Sequence, residues 1–140
     1  RKLQAKRDAT GAKHVEISAA SLEALPAAPA SLDAVVCSLV LCSVPDQQAA
    51  LKEIQRVLKP GGKLVFLEHV AADGRPNRLK WQRRIEPVWK HLTGNCHLTR
   101  RTEAAITAAG FKIERIERES IRKALPIVRP SIRGIARKRG

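Results

Sequence analysis

The alternation of apolar and polar positions is clearest between residues 31 and 69. From Leu32 to Leu41 the side chains are almost continuously apolar and often β-branched. This pattern predicts a strand buried on both faces, as in a parallel sheet, although the second half of the run also suits a loop or a helix. A shorter run at residues 13–17 is another strand candidate, and Pro26 and Pro29 mark the loop that follows it.

A helix is predicted after Asp46, which is a favourable N-cap residue. Apolar side chains recur at spacings of three and four over residues 50–58, and polar side chains occupy the other face. The turn at residues 59–62, Lys-Pro-Gly-Gly, should end the helix, and residues 63–69 should form a second buried strand. Together these elements predict one βαβ unit, which is right-handed if its strands are parallel.

Beyond Ala72 the pattern is weaker but still predicts structure. Four elements are expected: helices at 77–92 and 100–109, and strands at 111–119 and 131–138. Pro87 should kink or break the first helix, and Thr99 should cap the second. Pro126 and Pro130 predict a rigid loop between the two strands. The chain has the size of one domain, and the expected fold class is α/β.

Charge is distributed unevenly along the chain. The net charge is +14, and residues 75–101 and 111–140 each contribute +7, whereas residues 15–74 are net acidic. This distribution favours an anionic partner, which could be nucleic acid, a membrane surface or a cofactor phosphate. The basic run at 137–139 is expected to be a solvated tail. No apolar run approaches the ~20 residues that span a bilayer.

The three cysteines show no disulfide framework spacing, so a reducing compartment is expected, without deciding which one. Cys37 and Cys42 lie in an apolar run and are predicted to be ordinary buried thiols. A metal site could be imagined from His91, Cys96 and His97. A second paired ligand set is lacking, however, and no metal is expected.

Candidate chemistry lies where the second predicted strand ends. Glu68 and His69 occupy its carboxyl end, and parallel α/β sheets bind ligands at that edge. The two residues are therefore either a catalytic pair or simply polar residues that end a strand.

Several motifs together resemble class I S-adenosylmethionine-dependent methyltransferases. They are Leu25-Pro26, residues 31–36, and residues 53–62 with their Arg-Val-Leu-Lys-Pro-Gly-Gly turn. A narrower resemblance, to the methyltransferase-like family that includes alkyl-thiol S-methyltransferases, is carried by residues 36–44, 68–71, 81–82, 86–91, Cys96, 98–100 and 128–130.

The resemblance implies a Rossmann-like class I methyltransferase sheet of seven strands that binds S-adenosyl-L-methionine. Residues 1–140 would then be a single, partial methyltransferase domain from the third strand onward, incomplete at the N-terminus. The family's glycine-rich loop and ribose-binding acid are expected upstream of Arg1. The reaction implied is methyl transfer to a small-molecule acceptor, for which the family likeness suggests a thiol.

Site residues follow from the same resemblance. The expected cofactor contacts are Ala20, Ser21, Leu22, Cys37, Ser38 and Leu39. Ser21 stands where the family has an acidic residue, and Glu23 is a displaced alternative. Glu68 and His69 would act as base or orient the substrate. Trp81 and Trp89 are candidate substrate-binding residues, or else anchors of the core or of a lid.

Two other functions remain open from the sequence. One is a class I methyltransferase that acts on a lipid, quinone or RNA, with the basic segments contacting an anionic substrate. The other is a truncated, non-catalytic relative that binds a partner, since a sheet without its first strands exposes an edge. The compartment could be the cytoplasm or a membrane reached through a segment outside this chain.

Overall fold

The computed structural model describes residues 1–121 and 124–140. Its elements, in chain order, are α1 (Lys2–Ala9), β1 (Leu32–Ser38), α2 (Gln47–Val57), β2 (Leu58–His69), α3 (Pro76–Leu92), α4 (Thr102–Ala108), β3 (Phe111–Ser120) and β4 (Pro130–Lys138). The described strands form one sheet in the order β1-β2-β4-β3. β1 and β2 are parallel, while β4 is antiparallel to both of its neighbours. The predicted βαβ unit and both closing strands are therefore confirmed.

One face of the sheet is packed by helices. Ala50, Leu51, Ile54 and Val57 of α2 are buried, as the predicted helix periodicity required. Ala50, Leu51 and Ile54 pack in a core to which the sheet and α4 contribute Leu64, Phe66, Ile106 and Phe111. The Asp46 side chain accepts hydrogen bonds from the backbone N–H groups of Gln48 and Ala49 at 2.9 and 3.0 Å, which confirms the predicted N-cap.

The other face of the sheet is open among the described residues. Val36 on β1 is 72% exposed, so the predicted burial of this strand on both faces is wrong for that part of the chain. On β3 and β4 the same face carries an ion-pair network in which Glu117 binds both Arg115 and Arg133. Charged side chains on this face need no apolar cover, and a single exposed apolar side chain such as Val36 is common at protein surfaces.

The predicted strand at residues 13–17 is also wrong. These residues form no strand, and Val15 and Ile17 are exposed. An alternating pattern becomes a strand only where a neighbouring strand supplies hydrogen bonds, and no described strand lies beside it. α1, which was not predicted, buries none of its residues.

The glycine turn differs from its prediction in one respect. α2 ends at Val57 and β2 begins at the next residue, so Pro60 to Gly62 lie inside β2 rather than before it. Gly61 has a φ of +73°, and the pairing register shifts where this segment faces β1. A left-handed residue is accommodated there because glycine has no Cβ.

Two predictions were wrong, one about the cap of a helix and one about the C-terminal tail. Thr99 does not cap α4, because its N–H and hydroxyl both donate to Glu86 Oε2, at 2.8 and 2.7 Å. Lys138 is not part of a solvated tail, since its Nζ donates to the carbonyls of Gln55 and Leu58 at the end of α2. A lysine there complements the helix C-terminus. α3 continues through Pro87 as one helix.

Within the described residues, no helix is both long and apolar enough to cross a bilayer.

Candidate functional site

Glu68 ends the packed face of β2 and is completely buried. Its Oε1 accepts hydrogen bonds from the backbone N–H groups of Val40 and Leu41, each at 3.1 Å, and its Oε2 accepts one from Cys42 at 3.2 Å. Burial raises the pKa of this carboxyl, and the three N–H groups partly oppose that shift. The side chain therefore fixes the loop that follows β1.

His69 lies on the opposite face of the same strand, because successive residues of a strand alternate sides. Its ring is half-buried, and Nδ1 has no hydrogen-bond partner among the described residues. Burial lowers the pKa of His69, so its imidazole is mainly neutral at pH 7. The structure thus does not bring Glu68 and His69 into one catalytic pair, although they are neighbours in sequence.

The end of β1 places two predicted cofactor residues at the surface. Ser38 and Leu39 are exposed, and Leu39 has a φ of +55° while its N–H donates to the Leu67 carbonyl at 2.8 Å. Cys37 instead points into the packed face and is buried. Only its backbone could therefore approach a ligand at this edge.

The remaining predicted cofactor residues, Ala20, Ser21 and Leu22, lie in an irregular segment. Ala20 and Ser21 are exposed, and Ser21 Oγ accepts a hydrogen bond from the Glu23 N–H at 3.2 Å. The Glu23 carboxylate accepts one from the Asp46 N–H at 2.9 Å, so this alternative acid is already engaged at the start of α2.

The chain fits S-adenosyl-L-methionine only in part. The end of β1 fits, because Ser38 and Leu39 are free at the carboxyl edge of a parallel strand. Ala20 and Ser21 are exposed while Leu22 packs against the core, and no glycine-rich turn follows a strand in residues 1–121 or 124–140. Among the described residues, the end of β1 is thus the edge that is free to border the cofactor.

The two tryptophans of α3 occupy different environments. Trp81 is 58% exposed and lines a groove of about 590 Å³ together with Leu125 and Pro126. Trp89 is half-buried, and its indole N–H has no hydrogen-bond partner among the described residues. Trp81 is thus open to a ligand, whereas the indole nitrogen of Trp89 is buried.

A cavity of about 900 Å³ was not predicted from the sequence. It lies between the loop after β2, the start of α3, and α4. Its apolar lining includes Ala71. At its rim Arg101 pairs with Asp73 at 2.9 Å and Arg118 pairs with Glu103 at 2.6 Å. None of the predicted site residues lines it, because its walls come from four separate segments.

Gln82 was not predicted as a structural anchor from the sequence. It is buried on α3, where its Oε1 accepts the Ala72 N–H at 2.8 Å. Its Nε2 donates to the carbonyls of Val70 and Ile127, at 3.2 and 2.8 Å. The sequence signals were a polar residue on the inward face of a helix and its place in the motif at residues 81–82. Gln82 anchors α3 to the segment that borders the cavity.

Among the described residues, no three histidine, cysteine or acidic side chains lie close enough together to hold a metal ion.

Comparison with known proteins agrees with this architecture. Residues 2–66 match the methyltransferase domain family. The chain is 51% identical over 90 residues to thiol S-methyltransferase TMT1B of Rattus norvegicus, covering 64% of this chain and 37% of that protein. It is 41% identical over 109 residues to thiol S-methyltransferase TMT1A of Homo sapiens, covering 78% and 45%. The chain thus spans less than half the length of these relatives.

A third relative points to other chemistry. A ubiquinone/menaquinone biosynthesis C-methyltransferase of Hahella chejuensis is 46% identical over 55 residues, which is 39% of this chain and 22% of that protein.

Solved structures share the fold. An S-adenosylmethionine-dependent methyltransferase from Methanosarcina mazei superposes with a TM-score of 0.66 at 24% identity, covering 86% of this chain and 65% of that one. The [4+2]-cyclase SpnF superposes with a TM-score of 0.76 at 20% identity, covering 97% and 60%. Because one of these neighbours is a cyclase, the fold alone does not define a reaction. The sequence relationship and the fold together show that this chain belongs to the family of S-adenosylmethionine-dependent methyltransferases with a Rossmann-like sheet.

Proposed function

We propose that this chain forms the acceptor side of an enzyme that transfers a methyl group from S-adenosyl-L-methionine to a small thiol. The observation that carries this proposal is the 51% and 41% identity to two thiol S-methyltransferases. The chain contributes two strand ends and α3, and an acceptor would bind between them.

The cofactor supplies an electrophilic methyl group and its leaving group, so the protein mainly positions the acceptor and excludes water. In this chain Ser38 and Leu39 would border the cofactor. Glu68 acts as a positioning residue, since its carboxylate holds the backbone of Val40 to Cys42 beside that edge.

His69 is the better candidate for handling the acceptor proton. A thiol has a free pKa of ~8.5 and must lose its proton before it attacks. A neutral imidazole is able to accept a proton or to orient the thiol, but Nδ1 is buried without a hydrogen-bond partner, so the ring must turn to present that atom. Glu68 is less suited to this role, because both of its oxygens already accept backbone hydrogen bonds.

The acceptor would lie in the cavity after β2, whose lining begins at Val70 beside His69, and in the adjoining groove at Trp81. Arg75 and Arg78 line both spaces, which makes them neighbours. Small apolar side chains such as Ala71, Ala104 and Ile132 line part of the cavity and suit the alkyl part of a thiol, and charged side chains line another part of it.

A chimera tests the proposal. The segment of the rat relative that matches this chain is replaced by the corresponding residues of this chain, and methyl transfer to 2-mercaptoethanol is measured. We expect activity, and we expect His69→Ala to lower kcat by about 100-fold or more. His91→Ala, which changes an exposed histidine on α3, is the control. A folded chimera that binds the cofactor yet methylates no thiol would contradict the proposal.

A quinone acceptor is the alternative, favoured by the Hahella chejuensis relative. The same chimera, assayed with a prenylated quinone precursor, separates the two acceptors. Carbon methylation without thiol methylation would replace the thiol proposal. A folded chimera that binds no cofactor would favour a non-catalytic, partner-binding role.

We also propose that α3 contacts an anionic membrane surface. Its five lysines and arginines are Arg78, Lys80, Arg83, Arg84 and Lys90. Its single acid, Glu86, is turned inward and bound by Thr99. Trp81, Val88 and Leu92 are exposed, which gives a basic helix with an outward apolar side.

Vesicle sedimentation tests this contact. We expect the chain to bind vesicles containing phosphatidylserine, to bind phosphatidylcholine vesicles weakly, and to lose binding as salt rises. Trp81→Ser should weaken binding, whereas Leu3→Ser, at another exposed apolar residue, should not. Equal binding to both vesicles, or binding only to an RNA oligonucleotide, would contradict it.

A further inference from the structure

Two cysteines from distant parts of the chain meet beneath α3. The Cys42 and Cys96 sulfur atoms are 3.8 Å apart, which is within the range of an S–H···S hydrogen bond. Both residues are free and buried, with exposures of 1% and 7%. Cys42 lies in the loop that Glu68 fixes, and Cys96 follows α3.

The backbone on both sides of this pair is held in place. The His97 N–H donates to the Cys42 carbonyl at 2.8 Å, and Asn95 Nδ2 donates to the Ser43 carbonyl at 3.0 Å. We call these contacts between residues 41–43 and 95–100 the clasp, which also includes a 2.7 Å hydrogen bond from Arg100 Nη1 to the carbonyl of residue 41. Because the clasp fixes both backbones, the two sulfur atoms remain close while the protein is folded.

The two thiols are electrostatically unlike. The hydrogen bond with Cys42 lowers the pKa of Cys96, although burial opposes this shift. The same hydrogen bond and burial raise the pKa of Cys42. The pair therefore favours a thiolate at Cys96 beside a thiol at Cys42, which is the arrangement that thiol–disulfide exchange requires.

We infer that Cys42 and Cys96 are a redox modification site, which a low-molecular-weight disulfide converts to an intramolecular disulfide bond. The Cys96 thiolate attacks one sulfur of the small disulfide, forming a mixed disulfide and releasing one thiolate. Cys42 then gives up its proton and attacks the Cys96 sulfur, which releases the second thiolate. The two cysteines are oxidised by two electrons, and the small disulfide is reduced to two thiols.

The disulfide bond would add a covalent link to the clasp. A disulfide needs an S–S distance of about 2.05 Å, so the two sulfur atoms must move closer together than their present 3.8 Å. The bond would tie the loop after β1 to the segment after α3. This inference concerns the chain's own thiols and does not rest on the proposed methyl transfer.

Cys37 provides an internal control. It is also buried, on the packed face of β1, and burial raises its pKa to about 12. It is close to Cys42 in sequence, so random oxidation of an unfolded chain would favour a bond between Cys37 and Cys42. Oxidation directed by the fold should instead join Cys42 to Cys96.

The test uses the reduced chain, oxidised glutathione in a mildly alkaline buffer, alkylation of the remaining thiols, and peptide mass spectrometry. We expect a mass lower by two hydrogen atoms, a peptide that links Cys42 to Cys96, and an alkylated Cys37. The same treatment in guanidinium chloride should give mixed linkages. A native sample that contains a Cys37 linkage, stable glutathione adducts or no linkage at all overturns the inference.

Variants separate the role of Cys96, which attacks the small disulfide, from the role of Cys42, which then attacks Cys96. Cys42→Ser should accumulate the glutathione adduct on Cys96, while Cys96→Ser should form neither adduct nor linkage, and Cys37→Ser should behave as the unmodified chain. Oxidation should raise the midpoint of thermal unfolding by roughly 5–10 °C, and dithiothreitol should reverse this rise. An adduct on Cys42 in the Cys96→Ser variant, or an unchanged midpoint, counts against the inference. The peptide map of the unmodified chain decides the matter even if a variant fails to fold.

Discussion

The two faces of the sheet differ in what holds them. On one face α2 and α4 pack against the sheet, and Leu64, Phe66 and Glu68 of β2 are fully or almost fully buried there. On the other face Val36 is exposed and ion pairs link β3 to β4. Residues of the same sheet therefore have different environments, which shows that burial depends on the layer above a strand as well as on its composition. Substitutions on the two faces should separate these environments.

The largest effect is expected from the aromatic core of the packed face. Phe66→Ala removes a buried ring and leaves a cavity, so it should lower the free energy of unfolding by about 3–5 kcal/mol. Val36→Ala, on the open face of the neighbouring strand, should change it by less than about 0.5 kcal/mol. Urea unfolding followed by circular dichroism measures both variants. Equal losses would mean that something covers the open face in solution.

The next largest effect on the free energy of unfolding is expected at the buried carboxylate of Glu68, compared with the surface carboxylate of Glu117. Glu68→Ala leaves the N–H groups of Val40, Leu41 and Cys42 without an acceptor in a buried position, which should cost about 2–4 kcal/mol. Glu117→Ala removes ion pairs at the surface of the open face and should produce no resolvable change. The same unfolding measurement applies. A stable Glu68→Ala variant would show that the loop after β1 does not depend on this carboxylate.

A smaller effect is expected where β4 approaches the packed core. A Cβ atom on Gly134 would lie 2.7 Å from the Phe66 ring and would also collide with the Arg115 backbone. Gly134→Ala should therefore destabilise the protein by about 1–3 kcal/mol. Gly74→Ala is the matched control, because a Cβ atom there would meet no other atom within 4 Å. Thermal unfolding midpoints distinguish them, and similar midpoints would refute the close approach.

The smallest effect concerns pH. Burial lowers the pKa of His69, so the unfolded chain binds this proton at higher pH than the folded chain does. Stability should therefore fall as pH drops from the usual value of ~6.5 through the lowered pKa. The raised pKa of Glu68 acts in the opposite direction at lower pH, because there the folded chain takes up the proton first.

A comparison of histidine variants shows how much of the pH dependence of stability comes from His69. His69→Asn should flatten the pH dependence of stability just below neutral pH, although His97, whose pKa burial also lowers, leaves part of it. His14→Asn, at an exposed histidine, should leave the dependence as it is. Stability against urea, measured across this pH range, provides the comparison. A His69→Asn variant with an unchanged pH profile would show that this ring titrates alike in both states.

Local patterns predicted the centre of the fold well. The periodicity of residues 50–58, the Asp46 cap and the two apolar runs identified the βαβ unit, because each depends on neighbours within a few positions. The run at residues 13–17 has the alternation of a strand but forms none among the described residues, since a strand also needs a partner. Adjacency in sequence also suggested a catalytic pair that the fold does not form, because Glu68 and His69 point to opposite faces of the sheet.

The sequence by itself determined the α/β class, the position of the strand-end edge, and the resemblance to methyltransferases, since these depend on local periodicity and contiguous motifs. Only the tertiary structure decided which groups meet. It joined Glu68 to the loop at residues 40–42, Gln82 to the border of the cavity, and Cys42 to Cys96. Such contacts link segments that are far apart in the chain, and their partners are selected by the packing of whole elements, which no local pattern records.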